Sequence, residues 1–166
     1  MGVGKSRIGR ELARALMLHF IDLDRYIERR TGISIPDIFR HLGEEAFRRM
    51  EKEAVRELVG KDYLVLALGG GTFMEPESRK ALLGRGPVVA VWASPETILE
   101  RAMRKPGERP LLQVENPLER IRTLLEARAP IYRKAHIHVS TDGRRVEEVV
   151  EEIVEKLWRH AEARGA

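Results

Sequence analysis

The chain has no cysteine, and it contains only one asparagine and one glutamine. The lack of cysteine excludes disulfides, thiolate nucleophiles and thiolate metal ligands, so any metal must be held by oxygen atoms or imidazole nitrogens. No apolar run approaches the twenty residues of a membrane-spanning helix, and no secretory leader is recognisable. We therefore expect a cytoplasmic protein that does not contact a membrane.

Blocks of like charge are also missing from this sequence. The 30 basic and 26 acidic residues are interspersed, and the net charge is +4. A nucleic-acid-binding protein more often segregates its basic residues into a patch or tail. The charge pattern therefore favours a small polyanionic ligand over DNA or RNA. A length of 166 residues with 43% hydrophobic content suits one domain, residues 1–166.

Short apolar segments alternate with longer amphipathic ones, which predicts strands alternating with helices. The predicted strands are 19–23, 63–68, 87–92 and 136–140, and the predicted helices are 6–16, 34–42, 44–59, 76–83, 95–104, 117–129 and 145–163. Another helix should begin at Arg25, and Pro130 should end the helix over 117–129. This alternation indicates an α/β fold with a mostly parallel sheet that binds ligands at the carboxyl ends of its strands.

The first six residues, MGVGKS, match the second half of a phosphate-binding loop of the form GxxxxGK[ST]. In such a loop, backbone N–H groups at a helix N-terminus bind phosphate oxygens. Lys5 would then hold the β- and γ-phosphates, and Ser6 would place its hydroxyl on Mg²⁺. The alternative is a chance match at an ordinary helix start.

Two further polar or glycine-rich segments follow predicted strands. Asp22 and Asp24 end the first strand, where one carboxylate could hold the water shell of Mg²⁺ and the other could face a substrate hydroxyl. One of them could instead merely cap the next helix. Gly69, Gly70 and Gly71 follow the most apolar strand, and three glycines favour the close approach of a ligand to the backbone.

Three arginines are candidates for binding anions. Arg48 and Glu51 are three residues apart on a helix and could share one face, although charged helical residues usually form a solvated surface. Arg109 lies in the Pro- and Gly-containing stretch 105–116, which is predicted to be a mobile loop able to close over a transferring phosphate. Arg128 is either a cation at a helix C-terminus or an anion ligand.

Taken together, the segments GVGKS, FIDLD, FRRME, LALGGGT, RPLL and RAPIYR resemble those of shikimate kinases in order and separation across essentially the whole chain. The resemblance implies a three-layer P-loop fold like that of nucleoside-monophosphate kinases, with substrate-binding helices over about 24–59 and a mobile lid over about 104–116. It also implies transfer of the ATP γ-phosphoryl group to the 3-hydroxyl of shikimate, with Mg²⁺, in aromatic amino-acid biosynthesis.

The resemblance further implies roles for individual residues. The residues implied for ATP are Gly2, Val3, Gly4, Lys5, Ser6, Arg7, Arg109 and Arg144, and those implied for Mg²⁺ are Ser6 and Asp22. The residues implied for shikimate are Asp24, Arg48, Gly69, Gly70, Gly71 and Arg128, with Glu51 orienting Arg48. The implied catalytic residues are Lys5, Asp24 as the base, and Arg109. The expected partners are therefore ATP and shikimate, bound by a monomer.

One part of the family pattern has no counterpart in this sequence. Shikimate kinases have a five-stranded parallel sheet in the order 2-3-1-4-5, and its central first strand precedes the phosphate-binding loop. This chain begins inside that loop, so we expect two strand pairs separated by a gap. Because a gap leaves backbone N–H and C=O groups unpaired, we also expect the natural protein to carry one more strand upstream. A smaller departure from the family pattern is Arg7, which stands where shikimate kinases usually have a second small hydroxyl residue. Its effect should be slight, since Ser6 already occupies the metal position.

Two other functions fit parts of the pattern. The first is another small P-loop metabolite kinase of the gluconate or adenylate type. The triple glycine together with Arg48 and Arg128 favours a carboxylated cyclic alcohol as the acceptor over a nucleotide. The second is a nucleotide-binding module without turnover, which would bind ATP but not release ADP when shikimate is added.

Overall fold

Four short strands alternate with seven α-helices in the computed structural model, which describes residues 3–104 and 114–165. The strands are β1 (His19–Asp22), β2 (Leu64–Ala67), β3 (Val89–Trp92) and β4 (Ile137–Ser140). The helices are α1 (Lys5–Ala15), α2 (Leu23–Thr31), α3 (Ile35–Leu58), α4 (Pro76–Arg85), α5 (Pro95–Met103), α6 (Pro117–Tyr132) and α7 (Val146–Gly165).

The strand predictions are confirmed, since each observed strand lies within a predicted one. β1 pairs with β2 in parallel from His19 opposite Leu64 onward. β3 pairs with β4 in parallel from Val89 opposite Ile137 onward. This alternation of parallel strands and helices is the predicted α/β fold.

Within the described residues, the two strand pairs do not join into one sheet. Both pairs nevertheless pack against one core cluster, which Val65 of β2 contacts together with Val89 and Val91 of β3. Helices α1 and α7 provide much of that cluster. All four side chains of β3 are apolar, yet each is only half-buried. Two separate strand pairs are what the sequence predicts.

The helices on either side of the strands pack through their own apolar faces. Leu23 and Ile27 of α2 meet Ile38 and Val55 of α3 in a cluster whose members are almost fully buried. A separate cluster joins α5 to α6 and includes Val3, just before α1. These two clusters fix the positions of α2, α3 and α6, which carry the predicted substrate-binding side chains.

The prediction that Pro130 ends a helix is wrong. Helix α6 continues through Pro130 to Tyr132. A proline in the last turn removes its own N–H donor but does not prevent later residues from donating their helical hydrogen bonds. The N–H of Arg133 donates to the carbonyl oxygen of Ala129 at 2.9 Å and so closes the turn across the proline. The extra turn places Tyr132 one helical turn beyond Arg128.

Other helix boundaries follow the local chemistry of caps and glycines. Gly43 has φ of 82° and interrupts α3, in agreement with the two helices predicted over 34–42 and 44–59. Helix α2 begins at Leu23, earlier than predicted, because the Asp22 side chain accepts the N–H of Arg25 and caps the helix. No helix in the described part of the chain is long and apolar enough to cross a membrane.

Candidate active site

The predicted phosphate-binding loop leads directly into α1. Gly4 is the N-cap of α1 and has a left-handed backbone, with φ of 89° and ψ of 20°, a conformation that glycine adopts readily. The first turn of α1 contains no acidic residue, so its N–H groups and the positive end of the helix dipole favour an anion. Val3 is buried against β3 and α5, and Arg7 is exposed.

Ser6 and Asp22 meet at the carboxyl end of β1. The Ser6 hydroxyl donates a hydrogen bond to one carboxylate oxygen of Asp22, and the other carboxylate oxygen accepts from the N–H of Arg25 at 3.2 Å. Asp22 therefore caps α2 and also faces the phosphate-binding loop, and its role beside Mg²⁺ stays a prediction. The two side chains present oxygen atoms, which are the ligands that Mg²⁺ prefers.

Asp24 lies in the first turn of α2 and points into the protein. Its Oδ1 atom is buried and has no hydrogen-bond partner among the described residues. Burial, together with the carboxylates of Asp22 and Glu51, raises the pKa of Asp24 from 3.8 to about 6, and the charge of Lys5 opposes this shift. A carboxyl group with a pKa close to neutrality is suited to accepting a proton from a substrate.

Arg48 and Glu51 form an ion pair on one face of α3, with Nη1 of Arg48 2.5 Å from Oε2 of Glu51. Glu51 is only 2% exposed. Its Oε1 atom accepts a hydrogen bond from the buried hydroxyl of Thr72 at 2.6 Å. The Nη2 atom of Arg48 lies 3.0 Å from Oε1 of Glu44. Arg48 is therefore oriented by Glu51, as the sequence resemblance predicts, and is not part of a solvated surface.

At Gly69 and Gly71, the triple-glycine loop packs so closely against these side chains that an added Cβ atom would force them to shift. A methyl group on Gly69 would lie 2.6 Å from Oε1 of Glu51 and 3.3 Å from Oδ1 of Asp24. A methyl group on Gly71 would overlap the guanidinium of Arg48, coming within 2.5 Å of its Cζ. The loop then turns into a short 3-10 helix at Thr72–Met74, which the sequence analysis did not predict. The glycines therefore allow Arg48 and Asp24 to lie against the loop backbone.

Arg128 approaches the same loop from α6. Its side chain is largely buried, at 9% exposure, and its charge acts on the phenol of Tyr132, one helical turn further along α6. The Tyr132 hydroxyl donates in turn to the carbonyl oxygen of Gly70. Tyr132 has no role among the sequence predictions, because the helix predicted over 117–129 ends before it. An i, i+4 relation to Arg128 on a continuous helix would have pointed to it.

One cleft runs along β3 and reaches the phosphate-binding loop, the triple-glycine loop and α6. Its lining combines Lys5, Gly69, Gly70, Arg128 and Tyr132 with apolar side chains of β3 and α6. Tyr132 interacts electrostatically with Arg48 and Glu51 as well as with Arg128, so both arginines lie near the same phenol. The predicted site residues from the loop, from α2, from α3 and from α6 are thus brought together.

Of the predicted ATP-binding residues, Val3 and Lys5 line this cleft, and Gly4, Ser6 and Arg7 lie at the start of α1, whereas the other three are not placed beside them. Gly2 and Arg109 lie outside the described residues, as does most of the predicted lid over 104–116. Arg144 precedes α7, where it donates to the carbonyl oxygens of Ser140 and Glu148 and pairs with Glu152. Its role beside the nucleotide stays a prediction.

Histidine, aspartate and glutamate side chains do not form a cluster of three or more suited to a metal ion anywhere in residues 3–104 and 114–165. The two histidines near β4 have other roles. His136 accepts a hydrogen bond from the N–H of Val88, and His138 accepts one from the indole of Trp92 at 3.1 Å. The oxygen atoms of Ser6 and Asp22 therefore remain the candidate ligands for a divalent ion.

Comparison with known proteins identifies the family. The profile described as Shikimate kinase matches residues 1–158. A shikimate kinase from a strain of Thermus thermophilus is 98% identical over the whole chain, which spans 90% of that relative. A shikimate kinase from Deinococcus radiodurans is 54% identical over the whole chain, which spans 84% of its length.

Solved structures agree with the sequence relatives. The shikimate kinase from Acinetobacter baumannii in complex with shikimate has a TM-score of 0.92 and 40% identity, covering 96% of this chain and 89% of that one. A gluconokinase from Sinorhizobium meliloti has a TM-score of 0.64 at 20% identity, covering 98% of this chain and 90% of that one. The second likeness supports only the shared fold. The chain belongs to the shikimate kinase family, whose members are ATP-dependent transferases.

Proposed function

We propose that the cleft between the phosphate-binding loop, α3 and α6 is where this chain carries out the shikimate kinase reaction. That reaction transfers the γ-phosphoryl group of ATP to the 3-hydroxyl of shikimate. The proposal depends mainly on one observation: Arg48 and Arg128 come from different parts of the fold and both lie beside the triple-glycine loop. Asp24 lies against the same loop.

In this proposal, Arg48 and Arg128 bind the carboxylate of shikimate. A guanidinium group can donate two parallel hydrogen bonds to a carboxylate, and partial burial strengthens such charged hydrogen bonds. The ion pair with Glu51 fixes the orientation of Arg48 before the substrate binds. Gly69, Gly70 and Gly71 let the ring of the substrate approach the loop backbone.

Asp24 is proposed as the group that accepts the proton of the 3-hydroxyl. With a pKa of about 6, Asp24 is mostly ionised at pH 7 while remaining basic enough to attract the proton of an alcohol. Its Oδ1 atom, buried and without a partner among the described residues, is free of internal hydrogen bonds that would have to break first. Lys5 is the second proposed catalytic group, since its ammonium would neutralise charge on the transferred phosphoryl.

ATP is proposed to bind along Val3, Gly4, Lys5, Ser6 and Arg7 through backbone N–H groups and the ammonium of Lys5. Ser6 and Asp22 fit Mg²⁺ because both offer oxygen atoms at one point. When bound, the ion would supply positive charge to the phosphates. Gly2, Arg109 and Arg144 stay predicted ATP ligands, and Arg109 stays a predicted catalytic residue.

We further propose that the chain is one cytoplasmic domain, with substrate-binding helices over about 24–59, and that it acts as a monomer. Among the described residues, the large exposed apolar side chains are scattered over loops and three helices, and scattered ones are common on monomer surfaces. They are Met17, Ile33, Leu42, Tyr63, Met103, Val114 and Trp158. The lack of cysteine suits a reducing compartment.

A coupled assay of ADP release tests the proposal. We expect rapid release that depends on shikimate, and no comparable release with gluconate or AMP. Arg48→Ala and Arg128→Ala should each raise the KM for shikimate while the affinity for ATP persists. Tight ATP binding without shikimate-dependent release would contradict the proposal. Loss of ATP affinity with unchanged shikimate affinity would contradict the assignment of the two arginines.

A further inference from the structure

We infer that Tyr132 is a positioning residue, which holds Arg128 and the triple-glycine loop in the single arrangement that binds the acidic substrate. The inference rests on the substrate site proposed above. Tyr132 is not itself expected to touch the reacting atoms. Its effect should therefore appear in shikimate binding more than in the rate of the chemical step.

The hydroxyl of Tyr132 connects two parts of the site. It donates to the carbonyl oxygen of Gly70 and interacts electrostatically with the guanidinium of Arg128, one turn earlier on α6. Gly70 follows β2, whereas α6 packs on the β3 side of the molecule. One phenol thus fixes the distance between an arginine and a loop that belong to separate strand pairs.

The ring of Tyr132 is itself held in place. It packs edge-on against Trp92 of β3, with ring centroids 6.0 Å apart and an interplanar angle of 70°. The indole N–H of Trp92 donates to His138 of β4 at 3.1 Å. The phenol is therefore anchored to the β3–β4 pair, and its hydroxyl extends from that pair toward the loop after β2.

The hydroxyl stays a donor across the working pH range. Burial raises the pKa of Tyr132 above the ordinary value of 10, although the charge of Arg128 opposes the shift. A neutral phenol both donates to a carbonyl oxygen and accepts from a guanidinium. Removing it would leave the Gly70 carbonyl without this donor and the largely buried Arg128 without a polar neighbour, and such losses are costly in a buried site.

The direct test is Tyr132→Phe, which keeps the ring against Trp92 and removes the hydroxyl. We expect the KM for shikimate to rise about tenfold, with kcat changed less than about threefold and the KM for ATP unchanged. The matched control is Tyr26→Phe. Tyr26 donates its hydroxyl to Glu57 at 2.7 Å between α2 and α3, so the control also loses one phenol hydrogen bond.

Two further measurements separate positioning from general stability. Replacing Tyr132 with 4-aminophenylalanine restores an N–H donor and should return the KM for shikimate most of the way to its original value. In a Trp158→Phe background, the remaining Trp92 reports on the ring contact, and its fluorescence should be nearly the same with tyrosine or phenylalanine at position 132. A merely structural role would lower the melting temperature and alter kcat and both KM values together.

Distinct results would overturn the inference and the proposed site. A KM for shikimate in Tyr132→Phe equal to that of Tyr26→Phe would overturn the role of Tyr132. So would equal increases in the KM values for shikimate and ATP. An Arg128→Lys variant measured in parallel tests the site itself. If Arg128→Lys leaves shikimate binding unchanged, the proposed site is wrong, whatever Tyr132→Phe shows.

Discussion

The two strand pairs hold their site arginines by different means. On the β1–β2 side, Arg48 is fixed by a charged neighbour, the nearly fully buried Glu51, which Thr72 also contacts. On the β3–β4 side, Arg128 is fixed by burial and by the neutral phenol of Tyr132. Ion pairing therefore orders the β1–β2 side of the cleft, and packing orders the β3–β4 side.

The charged groups on the β1–β2 side act on Asp24. The carboxylates on the β1–β2 side repel one another, and burial and this repulsion raise the pKa of Asp24. The β3–β4 side contributes a cation and apolar surface to the cleft without adding another buried carboxylate to its lining. The charged side should therefore determine proton transfer, and both sides should determine substrate binding.

The largest effect is expected for Asp24→Asn. An amide cannot accept the substrate proton as a carboxylate does, so kcat should fall about a thousandfold. In the unchanged protein, kcat/KM should decrease as the pH falls below about 6, because Asp24 becomes protonated. Steady-state rates from pH 5 to 8 measure both effects. The control is Asp62→Asn, which alters an exposed carboxylate paired with Arg85. A kcat within tenfold of the original would show that Asp24 is not the base.

A smaller but specific effect is expected for Gly71→Ala. The added methyl group would displace the Arg48 guanidinium from the loop, and we expect the KM for shikimate to rise about thirtyfold while the KM for ATP stays the same. Gly84→Ala is the matched control, because a Cβ at Gly84 in α4 meets nothing within 4 Å. Equal kinetics for the two variants would contradict the close packing of Arg48 on the loop.

A stability measurement should separate the charged side of the cleft from the packed side. The folded pKa of Asp24 is about 6, and its ordinary value is 3.8. The folded state therefore binds more protons than the unfolded state between these values, and stability falls as the pH rises through this window. The decrease amounts to about 3 kcal/mol at full ionisation.

Asp24→Asn should remove that decrease, so the variant should be more stable than the original protein at pH 7. Urea unfolding at several pH values between 4 and 7 measures the difference. Tyr132→Phe changes the packed side and should keep the original pH dependence. If Asp24→Asn retained the same slope of stability against pH, the raised pKa would not belong to Asp24.

The sequence predicted the strands, most helices and the residue types of the site, because these depend on local periodicity and on motifs. Their spacing on a helix allowed Arg48 and Glu51 to pair or to form a solvated surface, and the family resemblance favoured the pair. The sequence does not point to Tyr132, because Pro130 predicts a helix end, whereas the helix tolerates the missing N–H of a proline in its last turn. The pKa of Asp24 depends on burial and on Asp22 and Glu51 together, so it required the folded arrangement.

The most direct test of the account compares the binding of shikimate with that of its analogue in which the carboxylate is replaced by a hydroxymethyl group. Calorimetry would measure both ligands with the original protein, Arg48→Lys, Arg128→Lys and the double variant. We expect the original protein to prefer shikimate about a hundredfold, each single variant to lose part of that preference, and the double variant to lose nearly all of it. If Arg48→Lys or Arg128→Lys kept the full preference for shikimate, that result would contradict the claim that the two sides of the cleft hold one carboxylate.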